Sequence, residues 1–180
     1  MNRDIQSILL SERKIRSISK RIGREISRDY ADKKLVLVGT LKGALPFMAE
    51  VLKNITVPCE IDFVKVSSYG SGTTSSGTLK ILLDLLRSDM AECDVLIVED
   101  IVDSGNTLSK LTKYMREKGA KSVRTCTLLD KPSRREVEFE ADYVGTVIPD
   151  EFVVGFGLDY DEKYRNLPYI GVLKKEVYQK

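Results

Sequence analysis

Between residues 11 and 30, Ile15, Ile18, Ile22, Ile26 and Tyr30 recur at three- and four-residue steps, and Arg and Lys fill the other faces. That spacing predicts an amphipathic helix with one buried stripe. Residues 35–39, Leu-Val-Leu-Val-Gly, form a short apolar run suited to a strand buried on both faces. Residues 44–53 predict a second helix, with Pro46 tolerated in its first turn. Across 57–66, Cys59, Ile61 and Phe63 alternate with Glu60 and Asp62, the pattern of a strand with one solvated face. The Ser, Thr and Gly run 67–78 is too polar to pack and predicts a mobile loop. Further strands are predicted over 79–83 and 95–98, and near 123–129 and 142–148. Leu108, Leu111 and Met115 give an intervening helix its buried stripe, which ends at Gly119. Residues 152–173 mix short apolar runs with Gly and acids.

Strands and helices therefore alternate through the middle of the chain, which predicts an α/β fold with a mostly parallel sheet. No repeat, linker or compositional break divides the 180 residues, so a single domain over 1–180 is expected. Charge adds little: 29 Lys and Arg against 27 Asp and Glu leave a formal +2, no reason to expect nucleic acid as the main partner. No apolar run is long enough to span a bilayer, and no apolar signal core follows the N-terminus. Cys59, Cys93 and Cys126 are widely spaced and lack a C-x-x-C pair, as expected of reduced, mostly buried thiols in a cytoplasmic protein. The sequence contains no histidine. That excludes Ser-His-Asp and Cys-His nucleophile systems and His-based zinc sites. Proton transfer must fall to Asp, Glu, Lys, Tyr or Cys, and any metal is expected to be a hard cation on oxygen ligands.

The densest chemistry lies in residues 95–107. An apolar strand run stops at Glu99 and Asp100, Asp103 follows three residues on, and Ser104-Gly105-Asn106-Thr107 opens a helix. In open α/β sheets ligands bind at the carboxyl ends of strands. The acids can be read as turn and helix-start charges, or as ligands for a sugar diol or a metal. Three carboxyl groups in one turn repel one another unless a cation, a hydroxyl-rich ligand or open solvent lies nearby. The hydroxyls and free amides of the helix start suit a phosphate, with Gly105 allowing close backbone approach. Together they make a pocket for a ribose 5-phosphate. The Gly-rich loops of nucleoside triphosphate and dinucleotide binders are absent.

Residues 95–107 resemble the phosphoribosyl-pyrophosphate signature of type I phosphoribosyltransferases. Gly39-Thr40-Leu41-Lys42-Gly43, Ser67-Ser68-Tyr69, Leu129-Asp130-Lys131 and Phe152 through Tyr160 stand in the order and spacing of one branch, the hypoxanthine or hypoxanthine-guanine phosphoribosyltransferases. The resemblance runs from about Leu35 onward. It implies a mostly parallel central sheet flanked by helices, with a small hood over the base site built from about 131–180 and the N-terminal segment. It also implies roles. Leu41, Lys42 and Gly43, with a cis peptide between Leu41 and Lys42, and Arg165 match the pyrophosphate contacts. Glu99 and Asp100 match the ribose and magnesium ligands, and Asp159 a ligand of a second magnesium beside the purine. Asp103, Ser104, Gly105, Asn106 and Thr107 match the 5-phosphate loop. Lys131, Phe152 and Val153 match the purine site, Lys131 donating to a 6-oxo group. Ser68 and Tyr69 match a lid that excludes water.

The reaction implied is transfer of a phosphoribosyl group from phosphoribosyl pyrophosphate to a 6-oxopurine, with Mg2+ as cofactor and Asp103 as the proton-handling residue. Adenine is disfavoured by Lys131, because a 6-amino group offers no acceptor. Hypoxanthine, guanine and xanthine differ at the 2-position, which sequence does not resolve. A regulator of the same fold that binds nucleic acid is the rival reading, opposed by the near-neutral charge and the full set of base-site residues. Association as a homodimer or homotetramer is expected from the resemblance. Asn106 departs from the Lys, Gly or Arg of many members.

Overall fold

The computed structural model describes residues 2–68 and 79–179. Strand β1 (Ile5–Leu10) leads into helix α1 (Glu12–Asp29), whose start is capped by the Ser11 hydroxyl accepting from the Lys14 amide at 3.3 Å. Strand β2 (Leu35–Thr40) and helix α2 (Leu45–Leu52) follow, then β3 (Cys59–Ser68) and β4 (Leu79–Leu83). Strand β5 (Asp94–Val102), helix α3 (Asn106–Glu117) and β6 (Ser122–Asp130) form the next unit, and β7 (Tyr143–Val147) closes the main sheet. Short strands β8 (Val153–Val154) and β9 (Ile170–Leu173) precede a last turn of helix, α4 (Lys175–Tyr178).

The main sheet has the order β4-β3-β2-β5-β6-β7, parallel except for β4. Chain order reverses between β2 and β5, because β3 lies on one side of β2 and β5 on the other. A crevice opens at the carboxyl ends of such a strand pair. The predicted stripe of α1 is buried against the sheet: Ile15, Ile22 and Ile26 are fully enclosed, beside Phe47 of α2 and Leu96 of β5. Leu108, Leu111 and Met115 of α3 cover the opposite face over Val36, Val38, Val95 and Ile97. The centre of β2 and the first half of β5 are therefore buried on both sides, as the unbroken apolar runs predict.

A second sheet of three antiparallel strands, β1-β9-β8, packs Ile5, Val154 and Leu173 into a small core of its own. Of the range 131–180 expected to leave the main body, β7 instead extends the main sheet. Three further expectations need correction. Strand β5 does not stop at the acids but continues to Val102, so Glu99 and Asp100 sit within its last turn of pairing with β6. Ser67 and Ser68 belong to β3 rather than to a loop; the remainder of the loop expected over 67–78 and the lid residue Tyr69 lie outside the described residues. Ile61, expected to face inward, is 50% exposed: β4 pairs with β3 only from Lys65 onward, and Ile61 lies on the unpaired stretch of that edge.

Candidate active site

Two loops meet above the β2/β5 crevice. At the end of β2 the Thr40 hydroxyl donates to Glu99 Oε1 at 2.6 Å, and the Leu41–Lys42 peptide is cis, as expected. Gly43 then lies directly against the Asp100 carboxylate, in a space that a Cβ would overlap. Gly157, with φ +102°, packs in the same way against the Gly43 carbonyl. The β2 loop is thus clamped between β5 and the segment before Arg165, with no room for a side chain at either glycine.

Glu99 and Asp100 are half-buried. Burial pushes the Glu99 carboxyl well above the ordinary range, and the charge of Asp100 adds to it. Burial raises Asp100 as well, opposed by the Glu99 side chain and by the Ile101 amide, which donates to Asp100 Oδ1 at 2.8 Å. Two acids that are costly to ionise together are suited to a divalent cation or to a diol that donates to them.

The strand then turns through Asp103 and Ser104 to Gly105, whose φ of +83° places it in the left-handed region immediately before α3. The segment 134–137 braces this turn from behind. The Arg135 guanidinium donates to the Asp103 carbonyl at 2.6 Å and pairs with the Asp130 carboxylate, while the Glu136 amide donates to the Ser104 carbonyl at 2.9 Å. Asn106 donates from its side-chain amide to Glu136 at 2.7 Å and to Ser104 Oγ at 3.2 Å. A cavity of about 200 Å3 lies in this turn, bounded by Glu99 and Asp100 at one end and by Ser104, Gly105 and Thr107 at the other.

A second cavity, about 470 Å3, adjoins it. Lys131, Phe152, Val153 and Leu158 form its walls, and Ile101 and Asp103 line both spaces. Lys131 is held at the end of β6 by its amide, which donates to the Val102 carbonyl at 2.9 Å, and only 7% of it is exposed. Its ammonium lies 3.8 Å from Asp150. The Phe152 ring stacks on Tyr178 at 4.5 Å and meets Tyr160 edge-on at 5.6 Å. The Asp103 carboxylate, about half exposed, stands at the junction of the cavities, 3.4 Å from Arg134 Nε.

Asp159 is not on the wall of the second cavity; Leu158 takes that place. Its carboxylate instead pairs with Arg165 Nη2 at 2.8 Å and accepts from the Glu162 amide at 2.9 Å. Arg165 also donates from Nη1 to the Gly157 carbonyl at 2.7 Å, and its buried Nε has no acceptor among the described residues. Among the described residues no three acidic or thiol side chains converge, so Glu99, Asp100 and Asp159 do not form one metal cluster. The sequence reading missed Arg134, Arg135, Asp150, Glu162 and Tyr178. None carries a local motif: each gains its place by contacts far along the chain, except that Arg134 and Arg135 fall just after the singled-out Asp130-Lys131.

Comparisons with known proteins bear on the fold and the family. Residues 3–161 match the phosphoribosyl transferase domain family. The chain is 52% identical to the hypoxanthine-guanine phosphoribosyltransferase of Bacillus subtilis over 179 residues, 99% of each protein. It is 53% identical over 178 residues to the bifunctional protein TilS/HprT of Listeria monocytogenes, of which it spans only 27% of the length. Among solved structures, the hypoxanthine phosphoribosyltransferase of Trypanosoma cruzi in complex with the product IMP superposes with a TM-score of 0.91, at 41% identity over 99% of both chains.

Proposed function

The chain belongs to the phosphoribosyl transferase domain family, and we propose that it serves purine salvage by transferring the 5-phosphoribosyl group of phosphoribosyl pyrophosphate to hypoxanthine, guanine or both, giving IMP or GMP and pyrophosphate. The observation that carries this reading is the position of Asp103, on the shared wall of a sugar-phosphate-sized cavity and a larger cavity lined by Lys131 and Phe152. A bond between a ribose carbon and a base nitrogen would form at that junction.

Each residue then has a task its surroundings support. The amides at the start of α3 and the Ser104 and Thr107 hydroxyls hold the 5-phosphate, with Asp103, Gly105 and Asn106 shaping the turn. Glu99 and Asp100 accept from the ribose hydroxyls. Leu41, Lys42, Gly43 and Arg165 receive the pyrophosphate, where charge grows as the bond to the sugar breaks. Val153 offers its backbone to the edge of the base, and Phe152 its ring. Lys131 donates to the 6-oxo group, which leaves adenine without a matching acceptor. Asp103 accepts the proton from the imidazole ring of the purine as the new bond forms. The three-stranded sheet is the hood over the base, and the lid that excludes water is assigned to Ser68, at the end of β3, with Tyr69, which lies outside the described residues.

Mg2+ is the cofactor in this reading. The half-buried like charges of Glu99 and Asp100 fit one ion, and Asp159 a second. The metal takes one or two carboxylates plus substrate phosphates rather than an all-protein cage. When bound, it supplies positive charge to the departing pyrophosphate. No helix of the described residues is long and apolar enough to cross a membrane. The free thiols Cys59, Cys93 and Cys126 suit a cytoplasmic protein, acting without nucleic acid as a homodimer or homotetramer. A steady-state assay with phosphoribosyl pyrophosphate, magnesium and each of hypoxanthine, guanine, xanthine and adenine tests the proposal. Nucleotide formation from hypoxanthine or guanine is expected; turnover confined to adenine, or none with any base, would overturn it.

A further inference from the structure

Lys42 and Arg165, the two cations assigned above to the pyrophosphate, already share an anion. Glu162 Oε2 lies 2.9 Å from Lys42 Nζ and 3.4 Å from Arg165 Nη2. The turn that presents it is unusual: Asp161, Glu162 and Tyr164 have φ values of +52°, +60° and +75°, a region that L-residues seldom adopt. Its backbone amide is fixed by Asp159 Oδ2 at 2.9 Å, so the side chain reaches the cations from an anchored base. With Asp159 on Arg165 and Glu162 on both cations, the two positive groups already face carboxylates. An incoming polyanion must displace one carboxylate to use both cations. Asp159 has both oxygens engaged and is 29% exposed; Glu162 uses one oxygen and is 65% exposed, so Glu162 is the group free to leave.

We propose that Glu162 is a positioning residue that stands in for pyrophosphate, holding Lys42 and Arg165 together before substrate binds and competing with the pyrophosphate end of the substrate. This rests on the assignment of Lys42 and Arg165 to that subsite. The competition weakens binding of phosphoribosyl pyrophosphate and, equally, hastens departure of the product anion. Exposed ion pairs of this kind are individually weak, so the effect is a tuning of affinity rather than a block.

The test is titration of the intact enzyme with magnesium pyrophosphate, together with the KM for each substrate, for wild type, Glu162→Gln, Asp161→Asn and Arg165→Gln. Glu162→Gln is expected to bind pyrophosphate about threefold to tenfold more tightly and to lower the KM for phosphoribosyl pyrophosphate by a similar factor, leaving the KM for hypoxanthine unchanged. Asp161→Asn removes the same charge from the neighbouring residue, whose carboxylate, among the described residues, reaches only Lys163, and should shift affinity less than about twofold. Damage to the fold would not tighten binding. Unchanged or weaker binding in Glu162→Gln, or an equal gain in Asp161→Asn, overturns the proposal. If Arg165→Gln weakens pyrophosphate binding while Glu162→Gln has no effect, the subsite assignment stands and only the competition fails. If Arg165→Gln also binds normally, the assignment itself fails and the proposal with it.

Discussion

Replacing Gly43 by Ala tests the clamp that joins the β2 loop to the acids of β5. The added methyl would fall on the Asp100 carboxylate, which is itself held by the Ile101 amide at 2.8 Å, and the Gly43 carbonyl is pinned from the other side by Gly157. Neither neighbour is the free end of a flexible chain, so the loop or the carboxylate must move. Overpacking of this kind costs about 1–3 kcal/mol. For a chain of this size that corresponds to a loss of about 2–12 °C in melting temperature. The functional loss should be larger in proportion, because a displacement of about 1 Å in a positioning element can lower the rate about a hundredfold. Gly43→Ala is therefore expected to melt several degrees lower and to lose about a hundredfold in kcat/KM for phosphoribosyl pyrophosphate. Gly119→Ala is the control. It too sits at positive φ, +89°, but a Cβ there meets no atom of the described residues within 4 Å. It should lose about 1–2 kcal/mol of stability with unchanged kinetics. Wild-type kinetics in Gly43→Ala would refute the clamp.

Three further outcomes follow from the same geometry. Asp103→Asn should lower turnover by about 10²–10⁴-fold with little change in phosphoribosyl pyrophosphate binding, and unchanged turnover would remove Asp103 from the proton transfer. Lys131→Ala should loosen discrimination between hypoxanthine and adenine, measured as the ratio of kcat/KM values; an intact ratio would count against its reading of the 6-oxo group. Glu99→Gln bears on stability. The Glu99 carboxyl is raised by burial and by Asp100, so its contribution to folding is fully present below the unfolded value of about 4.3 and is lost as pH rises through the higher folded value. Without ligands, Glu99→Gln should melt above the wild type at pH 8, with the gap closing toward pH 4; a gap of the same size at both pH values would show that the carboxylate carries no such penalty.

Where periodicity and burial coincide, the sequence foretold the fold. The α1 stripe from Ile15 to Tyr30, the apolar run of β2 and the α3 stripe all pack as their spacing requires, because each element buries one regular face. Strand β1 is not legible in the sequence because register shifts between Ile5 and Ser7 and between Ile8 and Leu10 break its alternation, and its pairing with β9 spans nearly the whole chain. The end of β5 is hidden in the sequence for a related reason. Glu99 and Asp100 look like the start of a turn, yet their backbone stays in the ladder with β6 while their side chains meet Thr40 and Gly43. The motif residues of the site were legible; their partners were not. Lys42 finds Glu162 at a separation of 120 residues, and Arg135 finds the Asp103 carbonyl at 32, contacts that only the folded topology brings together.

In the proposed function Asp103 stands between a phosphate-and-ribose space and a base space. A crystal structure of the protein with IMP tests it most directly. The 5′-phosphate should lie on the amides and hydroxyls of residues 104–107, the ribose on Glu99 and Asp100, and the 6-oxo group on Lys131, with the purine imidazole ring facing Asp103. A nucleotide seated with its base in the α3 turn, or bound away from both cavities, would contradict this role of Asp103.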